Sequence, residues 1–286
     1  MRKRVCGWLF CAVLAARGAE PPQRIVSTAP SLTEALFALG LGDRVAGVTT
    51  YCFYPPEARR KPKIGAYAKT DLETLLRLRP DLVVVMRYYT DLQARLASHR
   101  IPLLEVSNET LADIRQGLLA IGRAAGVESQ AQERLAALDQ ELDGVRRRVA
   151  GRPRRRVMFV VGRTPETVRD IIVAGGNNFL NELISIAGGE NVFAASAVAY
   201  PKVPAEEILA RRPEVIIDRG DVIDPEKAPP RHEQAVARLW GRWPQLPAVA
   251  SGRVYPVASD VFVIPGPRVG EAARRLARLL HPEAGL

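Results

Sequence analysis

One sentence is written twice in this chain, and that constrains the fold more than any other feature. Residues 72–85 read LETLLRLRPDLVVV and residues 205–218 read AEEILARRPEVIID, a gap-free alignment at an offset of 133. Each copy is an amphipathic helical stretch with arginines ahead of a proline, then an acidic residue and an apolar run long enough for one buried strand. A second pair, SLTEALFALG (31–40) and FLNELISIAG (179–188), recurs at an offset of 148. Duplicated helix-strand units predict two lobes of similar plan with a cleft between them.

At 286 residues the chain exceeds what one hydrophobic core usually holds, so two domains are expected. Residues 25–125 alternate strand-like runs (RIVST, RVAGVT, DLVVV, IPLLEV) with helical stretches starting near Ser31, Asp71, Thr90 and Thr110. This alternation is the signature of a parallel sheet covered by helices. From Glu128 to Val149 the spacing is helical, with Leu135, Leu138, Leu142 and Val145 on one face. The pattern resumes with RVMFVV, IIVAGG, a helix at Phe179, EVIID, RVYPV and a closing helix GEAARRLARLL, interrupted by the Pro-rich charged loop DVIDPEKAPPRHEQ. The expected organisation is an α/β fold: an N-terminal lobe over residues 20–126, a linking helix over 127–150 and a C-terminal lobe over 151–286. A single rigid helical connection restricts how far the lobes can open.

The first 19 residues read as an export signal. Arg2, Lys3 and Arg4 precede an apolar stretch from Val5 to Ala16, and the small residues Ala16, Gly18 and Ala19 suit a cleavage point. The stretch is too short to cross a hydrocarbon core of about 30 Å. Cys11 lacks a small residue before it, so lipid attachment there is not favoured. Cys6 and Cys11 both fall in the signal, which leaves Cys52 as the mature chain's one thiol, read as a packed side chain among aromatics. Removing the signal lowers the net charge from +10 to +6. The excess sits in RRRVAGRPRRR (146–156), which has no aromatic residue for base stacking, so nucleic acid is not an expected partner.

Ligands of open α/β sheets bind at the carboxyl ends of strands. Six of the seven tyrosines, Tyr51, Tyr54, Tyr67, Tyr88, Tyr89 and Tyr200, fall in or near turns after predicted strands or before predicted helices. There they can offer flat apolar faces and hydroxyl groups to a large, partly polar ligand. Phe262, with Ser259 and Asp260, occupies the comparable turn of the second lobe. Catalytic and metal-binding patterns are absent: His99, His232 and His281 lie near no Cys or acid at relay or metal spacing, and there is no HExxH, CxxC, GxSxG or phosphate loop. An enzyme is therefore not expected. AGGNN (174–178) is read as a tight turn followed by a helix cap. Glu73 and Glu206 occupy equivalent places in the repeated sentence, each in a first helical turn. A carboxylate there interacts favourably with the helix dipole, and one acid per lobe also suits docking on a two-fold symmetric partner bearing basic residues.

RIVSTAPSLTEALFALG, VTTYCFYPPEA, KIGAYAKTDLETLLRLRPDLVVV and VPAEEILARRPEVIID together resemble the substrate-binding proteins of ABC importers for cobalamin, haem and ferric siderophores, the cobalamin branch most closely. The resemblance spans nearly all of the mature chain. It implies the class III periplasmic binding protein fold, two Rossmann-like lobes with parallel sheets joined by one long backbone helix, in a monomeric periplasmic carrier without a cofactor of its own. It further implies that Tyr51, Tyr67 and Tyr200 line the cleft with Asp260 and Phe262, and that Glu73 and Glu206 meet arginines of a permease dimer served by a cytoplasmic ATPase. Cobalamin carriers similar to this chain tend to have tryptophan where Tyr67 and Tyr200 stand, and a basic residue near Ile264 is missing. The expected ligand is a corrinoid, with haem or a ferric siderophore as the alternative, because a phenolate can ligate haem iron.

Overall fold

The computed structural model describes residues 20–66, 69–220 and 232–285. The export signal therefore lies outside the described residues, as do Tyr67 and most of the Pro-rich loop. The N-terminal sheet is built from β1 (Ile25–Ser27), β2 (Val45–Gly47), β5 (Leu82–Met86) and β6 (Leu103–Val106), all parallel, in the order β2-β1-β5-β6. A two-stranded pair, β3 (Gly65–Ala66) with β4 (Lys69–Thr70), lies beside it. The chain passes from β1 to one side and returns to the other at β5, so the loops after these two strands diverge and leave a crevice at the carboxyl edge. Central β5 reads LVVVM and all five residues are buried, as a strand covered on both faces requires. The covering helices are α1 (Pro30–Ala38), α2 (Leu72–Arg77), α3 (Thr90–Ala97) and α4 (Leu111–Ala124). Helix α4 opens on a capping box: the Thr110 hydroxyl accepts from the Asp113 N–H, and the Asp113 carboxylate accepts from the Thr110 N–H.

Helix α5 (Glu128–Val149) covers the 22 residues that its sequence spacing predicts. It packs along α4 on one side and along the closing helix α10 (Val269–Leu280) on the other.

The C-terminal sheet is mixed. Strands β7 (Arg155–Gly162), β9 (Gly189–Asn191), β11 (Val215–Asp218) and β12 (Val254–Pro256) run parallel, whereas β8 (Ile171–Val173) is antiparallel to β7 and β10 (Lys202–Val203) is antiparallel to β8. This departs from an all-parallel second sheet. Residues 163–170 give the chain too little length for a crossover helix, so it turns back as a hairpin. Helices α6 (Phe179–Ile186) and α7 (Ala205–Arg211) follow, then α8 (His232–Trp240) and the short α9 (Pro247–Ala250). The last residues of the stretch expected to be loop thus already belong to α8. Along β7 the side chains alternate: Val157 and Phe159 join the core under α5, α6 and α10, while Met158 and Val160 join a second cluster with Trp240 and Leu246.

The repeat is conformational as well as written. Arg79 and Arg212, equivalent residues of the two copies, both adopt left-handed backbone, with φ of 46° and 47°. Each ends its helix ahead of a proline, a position where a left-handed residue releases the chain into the following strand.

Candidate functional site

Each lobe presents the carboxyl ends of its strands to the other, and a cavity of about 640 Å³ lies between them. The N-terminal wall consists of Ala29–Ser31 after β1, Tyr88 after β5, and Asn108 with Glu109 after β6. Opposite stand Val161 of β7, the start of α6, Tyr200 ahead of β10, Arg219 after β11, and residues 263–265 beyond β12. Backbone hydrogen bonds stitch the two helix starts together at the base. The Phe179 N–H donates to the Glu109 carbonyl at 2.7 Å, and the Leu111 N–H donates to the Glu182 carboxylate at 2.6 Å.

The AGGNN segment behaves as turn and cap. Asn178 is 1% exposed; its side-chain oxygen accepts from the Asn181 N–H at 3.0 Å, and its amide donates to the carbonyls of Gly175, Gly176 and Ala199. The two glycines are required by close approach, since a Cβ on Gly175 would meet the Val198 carbonyl at 2.3 Å and one on Gly176 the Ala194 carbonyl at 2.5 Å.

The structure distributes the sequence-predicted residues unevenly. Tyr88 and Tyr200 line the cavity. Tyr88 stands edge-on to Tyr89, ring centres 4.8 Å apart. Burial and the nearby Glu109 carboxylate push the Tyr200 phenol up to about 12, although the residue remains 42% exposed. It is therefore a neutral phenol at physiological pH. Tyr51 is exposed, packs edge-on to Phe53 at 6.3 Å and is not part of the cavity wall. Tyr67 is outside the described residues. Phe262 is 2% exposed, its ring 5.8 Å from that of Phe159, so it belongs to the core. Asp260 turns away from the cavity to Arg268 at 3.2 Å. Both residues sit in the predicted turn, but a 3-10 turn over Asp260–Phe262 aims their side chains inward and gives the wall to Val263, Ile264 and Pro265 instead.

Arg268 is the centre of a cluster that sequence reading misses. It binds both carboxylate oxygens of Glu34, through Nε at 2.9 Å and through Nη2, while its third nitrogen holds Asp260. Its guanidinium also lies over the Tyr54 ring, 3.9 Å from the centre. Glu34 is on α1 of the first lobe and 2% exposed, so this is a buried ion cluster across the lobe boundary. Burial pushes the Glu34 carboxyl up to about 7 against the pull of Arg268, and Arg268 is held charged by its two carboxylates.

Cys52 is fully buried, with Sγ 3.1 Å from both the Thr33 and Thr49 hydroxyls, and burial pushes its thiol up. That is the packed role its neighbours predict. Glu73 and Glu206 are both exposed; Glu73 pairs with Arg77 at 2.8 Å. Among the described residues there is no cluster of three or more metal-ligating side chains, and no helix long and apolar enough to cross a membrane.

Two lobes, one linking helix and a cleft at the strand ends define the architecture of a two-lobed binding protein. The chain belongs to the periplasmic binding protein family, whose model matches residues 25–261. It is similar to the vitamin B12-binding protein of Vibrio parahaemolyticus serotype O3:K6, at 28% identity over 94% of this chain and 93% of that protein. Among solved structures it resembles the periplasmic vitamin B12-binding protein of Vibrio cholerae, at 26% identity with a TM-score of 0.77, over 93% of this chain and 99% of the other. It resembles to the same degree the periplasmic haem-binding protein of Roseiflexus sp. RS-1, at 26% identity and a TM-score of 0.77, over 93% of this chain and the whole of the other. Class III periplasmic binding proteins share this two-lobed α/β architecture.

Proposed function

We propose that this protein captures a corrinoid in the interlobe cleft and delivers it, outside the cytoplasm, to the permease of an ABC importer. The observation that carries the reading is the cleft itself: an open, largely apolar slot with Tyr88 on one lobe and Tyr200 on the other, in a chain similar end to end to vitamin B12-binding proteins. Opposed aromatic side chains suit a broad macrocycle fringed with amides, which needs apolar contact over its faces and hydrogen bonds at its edge. Residues 1–19 serve as the export signal in this reading, and Glu73 and Glu206 dock the loaded protein on basic residues of the permease, one contact per lobe.

Haem is the second reading, favoured by the equal likeness to a haem-binding protein. Tyr88 and Tyr200 are the tyrosines of the described cavity wall, and a phenol that gives up its proton to ferric iron is one of the axial ligands haem accepts.

Calorimetric titration of mature protein, residues 20–286, with cyanocobalamin and separately with haemin tests both. One-to-one binding of cyanocobalamin at micromolar affinity or better is expected. Binding of haemin with no heat and no co-elution of cyanocobalamin would transfer the cleft to haem.

A further inference from the structure

The charge in the cleft is sparse and divided. Of the described residues that line it, one is acidic and one basic: Glu109 on the N-terminal wall and Arg219 on the C-terminal wall. The two side-chain amides of the wall are already engaged. The Asn108 amide donates to the Ser31 hydroxyl at 2.9 Å, and the Asn178 amide is spent on three carbonyls. The Phe179 N–H at the start of α6 is taken by the Glu109 carbonyl.

Arg219 is different. Its backbone is fixed, the N–H donating to the Val160 carbonyl at 3.1 Å, and the strand end behind it is locked by Asp218, which accepts from Arg163 Nε, Trp240 Nε1 and the Gly220 N–H. Among the described residues its guanidinium makes no hydrogen bond or ion pair, and it is half-buried. Burial weakens its charged form, with Asp260 as the opposing influence, and Asp260 hydrogen-bonds to Arg268 instead. A rigidly mounted cation that faces a ligand cavity without a hydrogen-bonded anion is prepared to receive one. The Glu109 side chain likewise has no bonded partner among the described residues and is exposed on the facing wall; burial first and Glu109 second raise the nearby Tyr200 phenol.

We propose that Arg219 reads a single anionic group on the ligand, the phosphodiester of a complete cobalamin, while Glu109 disfavours polyanionic ligands such as haem with its two propionates. This rests on the corrinoid reading and sharpens it to the ligand's charge. A cleft whose described wall carries one base and one acid matches an amide-fringed macrocycle carrying one phosphate. It opposes a dicarboxylate or a tricatecholate chelate, whose second and third charges would face Glu109 or apolar wall.

The test compares cyanocobalamin with dicyanocobinamide, which keeps the corrin ring and lacks the nucleotide with its phosphate, on wild type, Arg219→Gln, Arg219→Lys and Glu109→Gln. Arg219→Gln should lose about tenfold or more in cyanocobalamin affinity, the loss expected for a charge-assisted hydrogen bond, and less than about twofold for dicyanocobinamide. Arg219→Lys should restore part of the preference, which a purely structural role would not do, and Glu109→Gln should strengthen haemin binding. Unchanged melting temperatures establish that the variants fold. Equal losses for the two corrinoids, or none, with wild type binding cyanocobalamin, would overturn this inference and leave the corrinoid carrier standing. Wild-type protein that takes up neither corrinoid would overturn both.

Discussion

Replacing Glu34 with glutamine should remove a pH dependence of stability that the wild-type protein carries. The carboxyl of Glu34 sits 1% exposed against Arg268, itself 13% exposed, at the boundary of the lobes. Burial moves it from 4.5 to about 7. In the unfolded chain the group releases its proton near the lower value, whereas the folded protein keeps it to the higher one. Between these limits the folded state binds more protons through this group, so its contribution to stability is fully present below about pH 4.5, falls as the pH rises through the window, and is lost above about 7. The span corresponds to about 3 kcal/mol. Glutamine reproduces the protonated acid, accepting from Arg268 through its carbonyl, and does not titrate. Urea unfolding of both proteins from pH 4.5 to 8 at constant salt, compared as a difference curve, isolates the effect. The difference should shift by about 3 kcal/mol toward the variant as the pH rises. A difference curve that stays flat to within a few tenths of a kcal/mol from pH 4.5 to 8 would refute the reasoning: it would mean that the attraction of Arg268 offsets or outweighs burial and that Glu34 is not raised in the folded protein.

Two further outcomes follow from features described above. Reversing both Glu73 and Glu206 to arginine should leave cyanocobalamin affinity within about twofold while weakening assembly with the cognate permease by about tenfold or more, measured by surface plasmon resonance; undiminished assembly would remove the docking role. Asn178→Ala should cost roughly 2–4 kcal/mol in urea unfolding, because one buried side chain both caps α6 and satisfies three carbonyls.

Much of the frame was legible because it is local. The repeated sentence marks α2 with β5 and α7 with β11, and the unbroken spacing of α5 sets its ends at Glu128 and Val149. The capping box at Thr110 is a three-residue signal. What escaped depends on distance or on the length of a connection. Glu34 and Arg268 meet across 234 residues, so neither copy of the repeat hints at their contact. The antiparallel β8 follows from a link too short to cross over, which strand propensity does not register. Asp260 and Phe262 were placed in the correct turn, but the direction of a side chain in a 3-10 turn is set by the packing of Phe159 and Arg268 around it. Arg219 and Glu109 had a signal that went unused. Arg219 directly follows a predicted strand and Glu109 stands three residues beyond one, where the strand-end rule that singled out Tyr88 applies equally to charged residues.

The shared helix also governs how this molecule comes apart. Buried residues of α5, Leu138, Leu142 and Val145 among them, belong to one apolar cluster that includes Ile25 and Leu36 of the first lobe and Leu183 and Leu276 of the second. Neither lobe can expose its share of that cluster without stripping the helix from the other, so the two halves melt as one cooperative unit rather than as beads on a thread. The outer face of the second sheet, where Met158 and Val160 pack with Trp240 in a cluster of their own, is the part free to open first. Destabilisation in either lobe should therefore appear as lost stability of the whole protein, read as a single unfolding transition.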